Sequence, residues 1–177
     1  MITITDGGLP GIRIIQTRVY PDERGHFREL WRASHEELLG VGPFVQDNAS
    51  WSTKGVIRGL HYQDPHPQAK LVCVLQGEVF DVAVDIRRDS ATYGRWSGVR
   101  LRAGDGKQVF VPEGFAHGFA VLSEAALVYY KCTDYYRPRE ARVIRRDDPA
   151  IGIDWPVEKV MVSEGDRAAG RFDEQTG

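Results

Sequence analysis

The chain has 177 residues, of which 42% are hydrophobic and 27% charged, and its formal net charge is −2. That length fits a single domain with an ample core, since domains commonly run about 100–200 residues. The near-neutral balance argues against generic nucleic-acid binding, which needs a clearly basic face, but a small anionic ligand needs only a local cluster of Arg and Lys. Strand signals then dominate. Residues 13–20 are rich in β-branched types and end at the turn cluster Pro21-Asp22-Glu23-Arg24-Gly25, and 27–31 reads as a short strand. One helix is expected, with Ser34 and Glu37 as a capping box and Gly40 as its stop. Strands follow at 45–50, 57–63, 70–76, 79–86, 95–101, 108–111, 119–123 and 126–131, separated by turns rich in Gly, Asp, Pro and Ser. This pattern predicts an all-β fold: two antiparallel sheets closing over a cavity as a jelly roll, with few and short helices. The whole chain, 1–177, reads as one domain that turns irregular from about residue 147.

Residues 1–6 lack the basic-then-apolar order of a signal peptide. No window approaches the ~18 apolar residues of a membrane span. Cys73 and Cys132 each lie in an apolar run, where inert thiols are expected in place of a disulfide framework or a zinc site. A cytoplasmic protein with neither membrane nor nucleic-acid partners is expected.

The densest polar stretch on any expected strand is Arg58-Gly59-Leu60-His61-Tyr62-Gln63. Strand alternation puts Gly59, His61 and Gln63 on one face and Arg58, Leu60 and Tyr62 on the other. Gly59 would admit a ligand or a neighbouring backbone close to His61. Lys70 begins the next strand on the side of Val72 and Val74, so its charge sits at the rim or points into the cavity. Asp81 and Asp85 share a face near Arg87 and Arg88. The spacing Gly106-x5-Pro112-x-Gly114-x2-His117 resembles the second motif of the cupin superfamily. In metal-dependent cupins that histidine joins two histidines and a glutamate. Here its natural partner is His61, but Gln63 stands two residues further on, and Pro67 and Gln68 occupy the places for Glu. Two imidazoles without a third ligand make a poor divalent-metal site. His61 and His117 are therefore free for acid–base work or anion binding. In Leu127-Val128-Tyr129-Tyr130-Lys131, alternation separates Tyr129 and Lys131 from Val128 and Tyr130.

A series of segments resembles the dTDP-4-dehydrorhamnose 3,5-epimerase family. They are Asp22-Glu23-Arg24-Gly25-His26-Phe27, Phe44-Val45-Gln46-Asp47-Asn48, the His61 and Lys70 strands, Asp81 to Arg87, Pro112 to Phe119, and Ile151-Gly152-Ile153-Asp154-Trp155-Pro156. The resemblance spans most of the chain and implies a cofactor-independent, homodimeric jelly roll. The implied activity is inversion at C3 and C5 of a dTDP-linked 4-keto-6-deoxyhexose. By resemblance, His61 is the base, Tyr130 the opposing proton donor, Asp166 the dyad partner of His61, and Lys70 the cation beside the ketone oxygen. Arg24, Glu29, Gln46, Asp47, Asn48, Arg58 and His117 match positions that hold nucleotide, pyrophosphate and sugar, and Tyr136 matches a thymine-stacking tyrosine. Gly165, Glu140 and Arg146 depart from the family pattern, the first two at the nucleotide end. A single-site 3- or 5-epimerase is the alternative within the family. A non-catalytic or metal-dependent cupin is the alternative outside it.

Overall fold

Alternating and continuous apolar runs assemble here into two stacked antiparallel sheets. The computed structural model describes residues 2–175. In chain order the elements are β1 (Ile2–Asp6), β2 (Arg13–Thr17), β3 (Val19–Asp22), β4 (Gly25–Arg28), α1 (His35–Leu39), β5 (Gln46–Thr53), β6 (Ile57–Gln63), β7 (Lys70–Gln76) and β8 (Glu78–Asp85). They continue with β9 (Trp96–Arg102), β10 (Lys107–Val111), β11 (Phe115–Val121), β12 (Ala125–Cys132), β13 (Ala141–Val143), α2 (Glu164–Arg167) and α3 (Phe172–Gln175). One sheet runs β1-β2-β10-β7-β12-β5 and the other β13-β6-β11-β8-β9, while β3 and β4 form a separate hairpin. No helix among the described residues is long and apolar enough to cross a membrane.

The main core lies between the sheets. Val72, Val74, Val109, Val111 and Val128 of the six-stranded sheet meet Val79, Ala83, Leu101, Phe115, Phe119 and Val121 of the five-stranded one. Each outer face is also covered in part. Leu60, Val82, Val84 and Ala116 pack under Ile144, Ile151 and Phe172, and Ile15, Leu71 and Phe110 under Trp31, Leu39 and Phe44. Double coverage explains why β11 is buried at all seven positions and why its sequence does not alternate. Pairing in this strand begins at Phe115, ahead of the expected start at 119; Gly114 before it has a positive φ, whereas Gly118 within it does not.

Two further expectations change. Ser34 is itself helical, at φ −62 and ψ −10, so its hydroxyl caps nothing, whereas Gly40 ends α1 in the left-handed conformation as expected. Alternation in β6 holds from Leu60 onward but breaks at Gly59. His61 pairs with His117 and Arg58 with Phe119, and the register shifts between them. Directly opposed residues share a face, so Arg58 joins His61 on the inner side. Gly59 and Gly118 make this slip feasible: a Cβ on Gly59 would lie 2.6 Å from the Gly118 Cα.

Candidate active site

A polar hollow lies between the sheets at the end where β6 and β12 finish and β7 begins. It has a volume of about 270 Å³ and is lined by Gln46, Asn48, His61, Gln63, Gln68, Lys70, Tyr130, Cys132, Tyr136 and Ala141, among others. The two walls differ in origin. His61 comes from the five-stranded sheet; Gln46, Asn48, Lys70 and Tyr130 come from the six-stranded sheet. Register explains the grouping on the second wall, because Tyr130 lies opposite Val72 and Asn48, and Cys132 opposite Lys70 and Gln46. All share the face of the core valines, so Lys70 points inward.

His61 Nε2 lies 2.6 Å from Asp166 Oδ1. The carboxylate is held by α2: Ser163 begins that short helix and its Oγ accepts from the Asp166 N–H at 3.0 Å. Burial alone would raise the Asp166 carboxyl, but its bonds with His61, the Gly59 N–H and Ser163 win and hold it below the usual range. An ionised carboxylate behind the ring fixes N–H on Nε2 and leaves Nδ1 as the basic nitrogen. The imidazole is 44% exposed, which gives a substrate access to it.

On the facing wall, burial raises the Tyr130 hydroxyl, aided by Cys132 and opposed by Arg58. A phenol with a raised pKa keeps its proton at neutral pH and can deliver it. Burial lowers the Lys70 ammonium, with Cys132 and Asp81 pulling the other way. Lys70 makes no ion pair among the described residues, so its charge is uncommitted.

The remaining expected residues lie at different distances from this pocket. His117 is buried behind His61, with Nε2 2.9 Å and 3.0 Å from the two Asp81 oxygens. Asp81 therefore serves an imidazole, while Asp85 is met by Arg87 Nη2 at 2.7 Å. Arg58 reaches from the inner face to Ser52 Oγ at 2.9 Å. Asp47 is on the opposite face of β5, bound by Lys131 Nζ at 2.6 Å and by the Tyr129 hydroxyl at 2.9 Å. Arg24 sits on the β3–β4 turn in an ion pair with Asp22, and Glu29 pairs with Arg32 beside a separate hollow lined by Tyr20 and Phe27. Within one chain these last three do not face the pocket. Among the described residues, no group of three or more His, Cys, Asp or Glu is placed to hold a metal ion. Gln63 and Gln68 line the pocket without having been singled out for it. Alternation put Gln63 on the His61 face, and Gln68 stood out in sequence only as filling the place of a cupin's ligand Glu.

Known proteins resemble this chain in both sequence and fold. The dTDP-4-dehydrorhamnose 3,5-epimerase family profile matches residues 6–174. The chain is 52% identical over 163 residues to the dTDP-4-dehydrorhamnose 3,5-epimerase of Methanothermobacter thermautotrophicus, spanning 90% of this chain and 88% of that one. A dTDP-6-deoxy-D-glucose-3,5-epimerase from Legionella pneumophila, crystallised with dTDP-4-keto-L-rhamnose, superposes with a TM-score of 0.95 at 50% identity over 98% of this chain and 94% of that one. A 3'-monoepimerase from Streptomyces bikiniensis, in complex with dTDP-quinovose, is more distant: 31% identical, TM-score 0.87, over 94% of this chain and 86% of that one. A match that runs through nearly every element and through both walls of the pocket makes this chain a member of the dTDP-4-dehydrorhamnose 3,5-epimerase family.

Proposed function

We propose that this chain inverts C3 and C5 of dTDP-4-dehydro-6-deoxy-D-glucose, giving dTDP-4-dehydro-L-rhamnose without a cofactor. The observation that carries this reading is a carboxylate-backed imidazole on one sheet and a tyrosine hydroxyl on the other, with a lysine in the same pocket that makes no ion pair among the described residues. A C–H next to a ketone is acidic because its electrons can move onto the carbonyl oxygen. His61 Nδ1 takes the proton, the C–H electrons form the enolate, and Lys70 balances the charge on oxygen. Tyr130 then delivers its proton to the opposite face of the carbanion, inverting the centre; solvent reprotonates the phenolate and deprotonates the imidazolium. Asp166 stabilises that imidazolium, as a carboxylate does behind a catalytic histidine. At about 270 Å³ the pocket falls below the ~300–1,000 Å³ typical of drug-sized ligands. It suits the hexose alone and leaves the nucleotide near Tyr136 at the mouth.

Inversion at both carbons is favoured over a single-site reaction because the 3,5-epimerases are similar at about 50% identity and the 3'-monoepimerase at 31%. Proton NMR of enzyme and substrate in deuterated water tests this. Deuterium should enter at both C3 and C5, and exchange confined to one carbon would replace this reading with the single-site one.

The reading includes a homodimer. Phe27 is 69% exposed and stands beside Tyr20 on the hairpin that carries Arg24. A second copy would cover this apolar face and bring Arg24 and Glu29 to its partner's nucleotide. A monomer in analytical ultracentrifugation would remove that part. A reducing, cytoplasmic setting is supported by two buried free thiols, of which burial pushes Cys73 up to about 11.

A further inference from the structure

Residues 133–140 cross the pocket mouth between β12 and β13 and carry Tyr136, whose ring is exposed. Such a segment has little apolar contact to hold it. Yet four consecutive residues in it have a backbone group bound by a glutamine side chain. Gln68 Nε2 donates to the Asp134 carbonyl at 2.7 Å. Gln63 Nε2 donates to the Tyr135 carbonyl at 3.2 Å. Gln46 Oε1 accepts from the Tyr136 N–H at 2.8 Å, and Gln63 Oε1 accepts from the Arg137 N–H at 2.8 Å.

The three amides come from separate parts of the fold. Gln46 opens β5 in the six-stranded sheet, Gln63 closes β6 in the five-stranded sheet, and Gln68 lies in the turn before β7. Gln63 Nε2 also donates to the His66 carbonyl at 2.6 Å, tying the neighbouring turn to the same point. Gln63 is 5% exposed, and its amide is used at both ends. Only a neutral amide both donates and accepts at this reach; a carboxylate there would face two carbonyl oxygens.

We propose that Gln63, together with Gln46 and Gln68, is a positioning residue that pins the 134–137 backbone so that the Tyr136 ring stands preset for the nucleobase. This rests on the reading of Tyr136 as the nucleobase-stacking residue. Ordering the segment before the ligand arrives removes that cost from binding. The pin acts on nucleotide affinity through Tyr136 and touches neither the base nor the acid.

A double-mutant cycle on the full chain tests it, with dTDP as the titrated probe in calorimetry. Tyr136→Ala and Gln63→Met should each weaken dTDP binding roughly tenfold, within the range seen when an aromatic under one base is removed. The double variant should bind within about twofold of Tyr136→Ala alone, because the clamp then has no ring to position. With nucleotide-sugar, the Gln63→Met loss should fall mainly on KM. An equal loss from Gln63→Met with and without Tyr136 would overturn the clamp while leaving the stacking role intact. Full affinity in Tyr136→Ala would overturn the stacking role and the clamp with it. Should Gln63→Met not fold, Gln68→Ala removes a single anchor from a less buried side chain, and the same cycle should show a loss of about threefold that vanishes without Tyr136.

Discussion

Replacing Asp166 by Asn is the most direct probe of the His61 pair. The substitution keeps the side chain's shape and the Ser163 cap, which binds the Asp166 backbone N–H. It removes the negative charge that lies 2.6 Å from His61 Nε2. When His61 takes a proton, the lost interaction is that between imidazolium and carboxylate, about 4 kcal/mol for charges 4 Å apart at the effective dielectric of a protein surface. Asn can still offer a neutral hydrogen bond of about 1 kcal/mol, and the imidazole is 44% exposed, so water screens part of the rest. That leaves roughly 2 kcal/mol, or about a 30-fold fall in kcat/KM. Initial rates followed by NMR of the inverted product measure it, with dTDP affinity and thermal unfolding as controls for shape. Turnover within about threefold of the parent would refute the charge argument. Turnover as low as in His61→Ala, in a protein of unchanged stability, would mean that the carboxylate does more than stabilise the ring's charge.

Tyr130→Phe deletes only the hydroxyl proposed as the proton donor, so substrate hydrogen should still exchange with deuterated solvent while little inverted product forms; full epimerisation would place the acid elsewhere. Tyr129→Phe loses its bonds with Asp47 and Lys131 on the outer face and should epimerise normally. Lys70→Met keeps the stem and removes the charge proposed to meet the developing oxyanion, so kcat should fall on the order of 100-fold with a smaller change in KM; a change in KM alone would make Lys70 a binding residue. Because burial lowers the Lys70 ammonium, activity of the parent should decline on the alkaline side before the ordinary lysine value of 10.5 is reached. Asp85 accepts bonds from Arg87, Ser90 and Thr92, and despite its burial these hold its carboxyl well below the usual range. A depressed carboxyl contributes stability above its unfolded value and loses it as pH falls through the folded one. Asp85→Asn should therefore cost about 2 kcal/mol in denaturant unfolding at pH 7, with a gap to the parent that narrows below about pH 4; an equal gap at both pH values would contradict this.

How far the fold could be read in sequence depended on how local the cause was. β6 and β7 fall at 57–63 and 70–76 as expected because each run is bounded by turn residues and carries its own periodicity. β1 and β13 were missed for different reasons: β13 is only three residues long and pairs with β6 alone, whereas Ile2-Thr3-Ile4-Thr5 of β1 does alternate as a strand should and pairs with β2 alone at the sheet edge. Their pairing is supplied by neighbours already in place. The face of Arg58 was misread because alternation assumes an unbroken pleat, and the slip at Gly59 depends on the close approach of Gly118 from a strand some sixty residues away. Asp166 was reachable only through family resemblance, since 105 residues separate it from His61 and no period links them. The glutamine clamp was out of reach altogether. Its meaning lies in where 133–140 crosses the mouth, which no single segment encodes.

A sandwich suits this chemistry because inversion needs groups on both sides of one carbon. A base alone can only return a proton to the face it came from, so an acid must be fixed across the pocket at a distance set by the protein. Here that distance is the separation of the two sheets, fixed by the core valines and phenylalanines that pack directly beneath the site. Interiors packed at near-crystalline density hold such spacings closely. C3 and C5 flank the same ketone carbon, so a single cation can serve both enolates. The hexose need only turn in the pocket for the second carbon to take the place of the first between His61 and Tyr130. On the proposed reading the nucleotide, held at the mouth, acts as the pivot. Holding the pivot firmly while the sugar turns separates affinity from chemistry, which is why changes at Gln63 and Tyr136 are expected in KM and those at Lys70 and Asp166 in turnover.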